Sequence, residues 1–320
     1  MRAVVVTEPG GPEVLRYCGM PDPVPGPGQV LVRTEAIGVN FRDVYVRTGA
    51  YPAELPVPGL EGAGVVVGRG DGVAEFALGD RVAWAYGRSS YAELVAVPVA
   101  QCVPVPDDID WPVAGGAILQ GVTAHYLLES VYRPEPGQTI LIHAGAGGMG
   151  QLLVQWAAAH GARVITTVST DEKEKTAWEA GAWRVLRYGA DLAPAVRELT
   201  AGEGVAAVYD GVGAATFESS LASLRLRGTL VLFGSASGRV PPVDPQRLAE
   251  LGSLCLTRPL LPHFVHTRAE VLWRAGAVFT AIADGTLRIR FGGSYALAHA
   301  AQAHRDIESR STTGSLVLRP

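Results

Sequence analysis

The pattern of apolar and polar positions changes texture once along the chain, near Trp111. Before that point, short strand-like runs at 29–34, 64–67, 81–85 and 91–97 lie between turn signals such as the Pro-Gly-Pro-Gly at 25–28. Many short strands with little helix predict a compact β-barrel-like domain. Beyond it, helical segments alternate with continuous apolar runs at 139–143, 163–168, 205–209 and 229–233. These runs lack period-2 alternation, as strands do when helices cover both of their faces. An α/β domain with a doubly wound parallel sheet is the expectation. After about residue 262 further helix and strand signals end in an edge or returning strand at 315–318. The expected divisions are residues 1–122, 123–261 and 262–320.

The sharpest local signal is Thr139-Ile-Leu-Ile-His143 running straight into Ala144-Gly-Ala-Gly-Gly-Met-Gly150. A buried strand meets GxGxxG at Gly145, Gly147 and Gly150. A helix then carries Met149, Leu152, Leu153, Trp156 and Ala157 on one stripe and stops near Gly161. The first glycine permits the tight turn, the second lets backbone approach a pyrophosphate, and the third packs helix on strand. The helix N-terminus offers N–H groups and the positive end of its dipole to the phosphates. In a chain with 39 glycines the motif alone is cheap. The strand before it, the amphipathic helix after it and a second strand about 20 residues on give it the context of a dinucleotide site.

The end of that second strand discriminates between nicotinamide cofactors, because an acid there binds the ribose 2′-hydroxyl and repels a 2′-phosphate. Here it reads Thr166-Thr167-Val168-Ser169-Thr170, then Asp171-Glu172-Lys173. Hydroxyls stand where the acid would be. Composition now changes the picture, because of 27 cationic residues only two are lysines, Lys173 and Lys175. Lys173 falls where a 2′-phosphate needs a cation, which favours NADPH. The bland alternative is a solvated helix face paired with Glu172, Glu174 or Glu179, and Asp171 turned inward would favour NAD.

The remaining composition mostly excludes. With 48% hydrophobic and 18% charged residues the chain folds. Its net charge of −4 leaves no basic footprint for nucleic acid. No apolar run approaches the ~20 residues that span a bilayer, and Thr7, Glu8 and Pro9 interrupt the start too early for a signal peptide. A cytoplasmic protein is the default. Cys18, Cys102 and Cys255 form no CxxC pair, which argues against a disulfide framework and a structural zinc site. His263 and His266 have helical spacing but lack a third partner.

Taken together the motifs resemble the zinc-independent quinone oxidoreductases of the medium-chain dehydrogenase/reductase superfamily, the bacterial NADPH:quinone reductase and ζ-crystallin group. The resemblance runs through Gly11-Pro-Glu-Val-Leu15, Ile37-Gly-Val-Asn-Phe41 with Asp43 and Tyr45, Thr48-Gly-Ala-Tyr-Pro52, Gly79-Asp-Arg-Val82 and Gly121-Val-Thr123. It continues through the glycine loop, Tyr209-Asp-Gly-Val-Gly213, Phe233-Gly-Ser-Ala-Ser-Gly238, Thr257-Arg-Pro259 and Glu308-Ser-Arg310 through Gly314-Ser315. It implies a GroES-like mainly-β domain, a Rossmann domain, and a C-terminal return completing the first. It also implies a 2′-phosphate held by Ser169, Lys173 and Tyr188, with Asn40 and Thr123 near the nicotinamide. Gly145, Gly147, Gly148, Met149 and Gly150 would line the pyrophosphate, and Phe233, Ser235 and Arg310 the cofactor cleft. A homodimer joined through Rossmann sheet edges, near 229–233 and the following strand, is implied as well.

Zinc alcohol dehydrogenases of this superfamily place a cysteine near position 40 and a histidine in a Gly-His-Glu run. This chain has Asn40 and Gly59-Leu60-Glu61. Without a Lewis acid, stabilising an alkoxide is costly. A quinone or conjugated carbonyl is already electrophilic and needs mainly proximity, alignment and a hydrogen-bond donor. Asn40, Tyr45 and Tyr51 are the candidate catalytic donors, although the tyrosines could equally be packed structurally, and Glu61 reads as structural. The competing functions are an enoyl or double-bond reductase of the same superfamily and a ζ-crystallin-like nucleotide- or RNA-binding protein with little turnover. If Lys173 holds the 2′-phosphate, Lys173→Ala removes a charge-assisted bond of ~1.5–3 kcal/mol, weakening NADPH roughly 10- to 100-fold. Titration with both cofactors checks this, since equal losses for NADPH and NADH would remove the role.

Overall fold

The computed structural model describes residues 1–51 and 56–320, so the end of the Thr48–Pro52 motif lies outside the described residues. The chain divides into two units. One comprises Met1–Val122, Val265–Gly285 and Ile289–Pro320; the other comprises Thr123–Phe264 with Thr286–Arg288.

In the first unit β1 (Arg2–Val5) pairs antiparallel with β2 (Arg16–Gly19). The spine is β3 (Gln29–Val39), followed by α1 (Phe41–Arg47), β4 (Gly62–Arg69), β5 (Arg81–Trp84), β6 (Leu94–Pro98) and β7 (Cys102–Pro104). Helices α2 (Trp111–Gly116) and α3 (Ile118–Tyr126) come next. β3 is longer than the 29–34 expected from alternation. Its last residues pair with a C-terminal strand, Ile37 opposite Leu318 and Val39 opposite Leu316, and are buried on both faces. After Glu35 the continuation, Ala36 to Val39, carries no polar position to show an alternation. β6 is shorter than the expected 91–97, because Ala92 makes only an isolated bridge to Ala3 while the Tyr91 N–H goes to the Pro58 carbonyl.

The second unit alternates strand and helix: β8 (Thr139–Ile142), α4 (Gly148–Ala159), β9 (Arg163–Val168), α5 (Asp171–Glu179), β10 (Arg184–Arg187), α6 (Leu192–Leu199), β11 (Val205–Asp210), α7 (Phe217–Ser223), β12 (Leu224–Leu232), α8 (Pro245–Glu250) and β13 (Cys255–Thr257). All six strands are parallel, in the order β10-β9-β8-β11-β12-β13. The chain builds outward from β8 and then crosses to its other side at β11. The loops after β8 and β11 diverge there and open the crevice in which doubly wound sheets bind ligands. Ile140, Leu141, Ile142 and Val208 are fully buried, as expected of strands covered on both faces. β12 begins five residues before its apolar run, since Arg225, Arg227 and the left-handed turn at Arg227 (φ 59°) hide its start from a hydropathy reading.

The return consists of α9 (Arg268–Ala283), β14 (Phe291–Ala296), α10 (Ala300–Ser309) and β15 (Ser315–Arg319). β15 pairs with the end of β3, and the sheet of the first unit runs β14-β15-β3-β4-β5-β7, with β6 pairing the first residues of β3. Among the described residues no helix is long and apolar enough to cross a membrane.

The turn from β8 into α4 is set by two glycines. A Cβ at Gly145 would lie 2.1 Å from Thr166 Oγ1, and one at Gly150 would lie 2.1 Å from the Ala144 carbonyl oxygen. The first contact is with a side chain, the second with backbone. Gly150→Ala is therefore expected to destabilise the protein by about 1–3 kcal/mol, the usual cost of overpacking, and to weaken cofactor binding as well. Urea unfolding and a fluorescence titration on the same preparation check both effects.

Candidate active site

Within the second unit, the end of β8 delivers His143 and the glycine loop. Ala144 takes a left-handed conformation, φ 57°, and its carbonyl accepts the Gly147 N–H at 3.0 Å, closing the loop on itself. A Cβ at Gly147 would find its nearest neighbour 3.4 Å away, so backbone here stands open to a ligand. Gly147 caps α4 without a side chain, so no capping side chain takes the first-turn N–H groups of Gly148, Met149 and Gly150, the arrangement in which a helix N-terminus can receive an anion. Gly150 is buried against the turn, whereas Gly148 and Met149 are half-buried. Leu152, Leu153, Trp156 and Ala157 form the buried stripe below.

Opposite the loop, Phe233 and Ser235 fold against Gly211 and Gly213. A Cβ at Gly211 would lie 2.8 Å from the Phe233 ring, and one at Gly213 would lie 2.9 Å from Ser235 Cα. Underneath, Thr167 Oγ1 lies 3.0 Å from His143 Nδ1, and His143 Nε2 lies 2.9 Å from Ser220 Oγ, which donates to Asp210 Oδ2 at 2.8 Å. Asp210 Oδ1 accepts the N–H groups of Val212 and Gly213. Burial pushes the His143 imidazole below its ordinary range against the pull of Asp210, so it is a neutral link in this floor. Sequence reading missed the floor, whose members lie on two strands, a helix and the loop that follows β8.

At the tip of β9, Ser169 and Lys173 come together: Lys173 Nζ donates to Ser169 Oγ at 3.4 Å, and Thr170 caps α5 by accepting the Lys173 N–H. Asp171 faces Arg187, with Nη2 2.6 Å from Oδ1. Lys175, by contrast, approaches Glu179 on the solvent face. Tyr188 is 38% exposed and its ring stacks on His143, centroids 6.0 Å apart. Thr123 is buried near the start of this unit.

The first unit carries a separate polar cluster. Asn40 precedes α1; its N–H donates to Asp43 Oδ2, and its carbonyl accepts the Asp43 N–H, both at 2.9 Å. The Asn40 amide is held by two partners: Nδ2 donates to Glu61 Oε1 at 2.6 Å, and Oδ1 accepts from Gln120 Nε2 at 3.2 Å. Ser315 Oγ in turn donates to Gln120, and the Leu119 N–H donates to Glu61 Oε2. Asn40 Nδ2 carries a second N–H. Tyr45 and Tyr51 pack edge-on at 5.2 Å, with the Arg42 guanidinium 5.2 Å from the Tyr51 ring. Arg310 ends α10 in a left-handed, exposed turn.

Behind Asn40 the polar chain continues. Tyr91 donates to Asp43 Oδ2 at 3.0 Å, His304 Nε2 meets the Tyr91 hydroxyl at 3.1 Å, and Arg47 donates to His304 Nδ1 at 3.2 Å and to Glu308. Arg47 has donors only, so His304 Nδ1 accepts and Nε2 carries the proton toward Tyr91. Burial holds His304 down to about 3, neutral at all working pH. The partners lie 48 to 261 positions apart, and no local pattern marks them. Burial pushes the Asp43 carboxyl up to about 6 and that of Glu61 up to about 8.

The residues at the superfamily's zinc position do not fit a metal. Asn40 and Leu60 offer no thiolate or imidazole, both oxygens of Glu61 already accept N–H bonds, and among the described residues no group of three His, Cys, Asp or Glu is placed to hold an ion.

Comparison with known proteins agrees with this geometry. Residues 26–107 match the alcohol dehydrogenase GroES-like domain and residues 148–272 the zinc-binding dehydrogenase family. A curated quinone oxidoreductase from Pseudomonas aeruginosa is 44% identical over 315 residues, covering 97% of each chain. The chain belongs to the quinone oxidoreductase family of medium-chain dehydrogenases/reductases. The solved structure of mycobacterial Rv1454c complexed with NADPH is 54% identical, with a TM-score of 0.98 and full coverage of both chains. A 2-haloacrylate reductase from Burkholderia is 40% identical, over 99% of this chain and 98% of its own. In this quinone oxidoreductase the zinc-binding name of the second family describes relatives, not its own donor set.

The raised Glu61 carboxyl has a thermodynamic signature. The folded state keeps a proton that the unfolded chain releases between pH 4.5 and about 8. Stability conferred by that proton is therefore complete below pH 4.5 and lost as pH rises through the folded value, at up to ~1.4 kcal/mol per pH unit. Glu61→Gln, which has no proton to lose, should flatten this slope between pH 6 and 8, so that its stability relative to wild type rises with pH over that range. Chemical denaturation across pH checks it, and parallel curves for the two proteins would contradict the burial of a titrating carboxyl here.

Proposed function

We propose that this chain is an NADPH-dependent, metal-free reductase that passes hydride to quinones. The observation that carries the cofactor is the Lys173 ammonium beside the Ser169 hydroxyl at the tip of β9. A cation and a hydroxyl suit a 2′-phosphate, where a diol-binding site would aim a carboxylate. Tyr188, on its His143 support, is assigned to the same phosphate, and Gly145, Gly147, Gly148, Met149 and Gly150 to the pyrophosphate. Thr123, Phe233, Ser235 and Arg310 are assigned to the remaining cofactor contacts.

When bound, NADPH supplies the hydride. The chain's contribution is to orient the acceptor and stabilise the oxygen that gains charge. Asn40 is the assigned donor: Glu61 and Gln120 clamp its amide in one orientation, and its second N–H is available to a carbonyl oxygen. A donor fixed before reaction costs no reorganisation as charge develops. Tyr45 and Tyr51 supply aromatic surface for a flat acceptor and hydroxyls for its second oxygen. One proton must join the reduced quinone, and water or a tyrosine hydroxyl supplies it. A cytoplasmic homodimer joined through β13 completes the reading, since β13 lies at the sheet edge and β12 inside it.

The 2-haloacrylate reductase relative favours a second reading, reduction of a conjugated carbon–carbon double bond. An acceptor panel separates the two. With NADPH, the kcat/KM for p-quinones should exceed that for 2-haloacrylates and enoyl thioesters by at least about tenfold, ~1.4 kcal/mol of differential transition-state binding. Activity should survive dialysis against a chelator. Turnover confined to the conjugated acids or thioesters would move the assignment to double-bond reduction, and loss on chelation would end the metal-free mechanism.

A further inference from the structure

The first turn of α5 sets a problem for the cofactor reading. It carries Asp171, Glu172 and Glu174 around the same strand tip as Ser169 and Lys173. Carboxylates suit a helix N-terminus but oppose an incoming dianion. Arg187, the last residue of β10, answers two of them, with Nη2 2.6 Å from Asp171 Oδ1 and 2.6 Å from Glu174 Oε2. β10 lies beside β9 with Arg187 opposite Val168, so the guanidinium stands next to the tip itself, immediately before Tyr188.

We propose that Arg187 is a cofactor-discriminating residue, which holds Asp171 and Glu174 away and so makes the β9 tip acceptable to a 2′-phosphate. The inference rests on the NADPH reading above. Asp171 is the acid nearest the position from which a diol-binding site grips the ribose. Its side chain is fully exposed, so no packing fixes its direction and the ion pair to Arg187 sets where it points. An exposed ion pair adds little to folding stability. Its effect is felt by a charged ligand arriving within a Debye length. Lys173 and Arg187 then divide the work: one cation meets the phosphate, the other removes its competitors. Direct grasp of the phosphate by Nη1, which is buried and makes no hydrogen bond among the described residues, is the rival role.

The test compares kcat/KM for NADPH and NADH in wild type, in Arg187→Ala, and in Arg187→Ala combined with Asp171→Asn and Glu174→Gln. Both cofactors are assayed on one preparation, so the ratio does not depend on the folded fraction. Arg187→Ala should cut the NADPH-over-NADH ratio by roughly tenfold or more, and removing both carboxylates should restore most of it. A wild type that prefers NADPH together with an Arg187→Ala ratio at the wild-type level would overturn the inference alone. A ratio that falls and is not restored would overturn it too, in favour of direct grasp by Nη1. A wild type with no NADPH preference would overturn the cofactor reading and this inference with it.

Discussion

The approach of the Gly150 backbone to the Ala144 carbonyl governs the nucleotide-binding unit. A methyl group at that contact would sit 2.1 Å from a carbonyl oxygen that cannot move, because the loop is closed by the Gly147 N–H. With hydrogen at Cα instead, α4 starts directly over the end of β8 and its first turn points along the strand ends. The parallel order around β8 and β11 would exist without this contact. A phosphate site at the switch point would not, since the helix would be pushed off the strand and its N–H groups re-aimed.

Each of the two units links a set of buried polar groups into one connected chain. Below the nucleotide loop, Thr167, His143, Ser220 and Asp210 form a chain ending on a carboxylate that also collects the backbone of the 210–213 turn. In the other unit, Arg47, His304, Tyr91 and Asp43 form a second chain ending at the start of α1. Both histidines are held neutral by burial, and both act as oriented connectors. A fully satisfied polar network of this kind specifies one arrangement, because any rotamer change leaves a buried donor or acceptor unpaired. Asn40 sits at the end of the second network with its amide direction decided by Glu61 and Gln120.

In the proposed mechanism that fixed amide takes the place of the metal. In the zinc-dependent branch of the superfamily the corresponding place polarises a carbonyl through a cation. Here the same corner of the fold offers an amide and a protonatable, buried Glu61, packed so closely that a Cβ at Gly38 would lie 1.9 Å from its Oε1. The chemistry within reach is correspondingly milder and suits acceptors that delocalise charge themselves.

The amino-acid sequence by itself determined the two-part architecture, the glycine turn, the placing of Ser169 and Lys173 together at the tip of β9 and the missing zinc ligands. Each is written in local terms: hydropathy period, steric need for glycine, or residue type at a motif position. Only the tertiary structure decided the length of β3, whose last residues are buried by a strand almost 280 positions away, and the pairing of Asp171 with Arg187. It alone decided the two buried networks and the clamp on Asn40. Those arrangements are made of single polar residues whose partners arrive from distant segments, and hydrogen-bond geometry over such separations leaves no periodic trace in the chain.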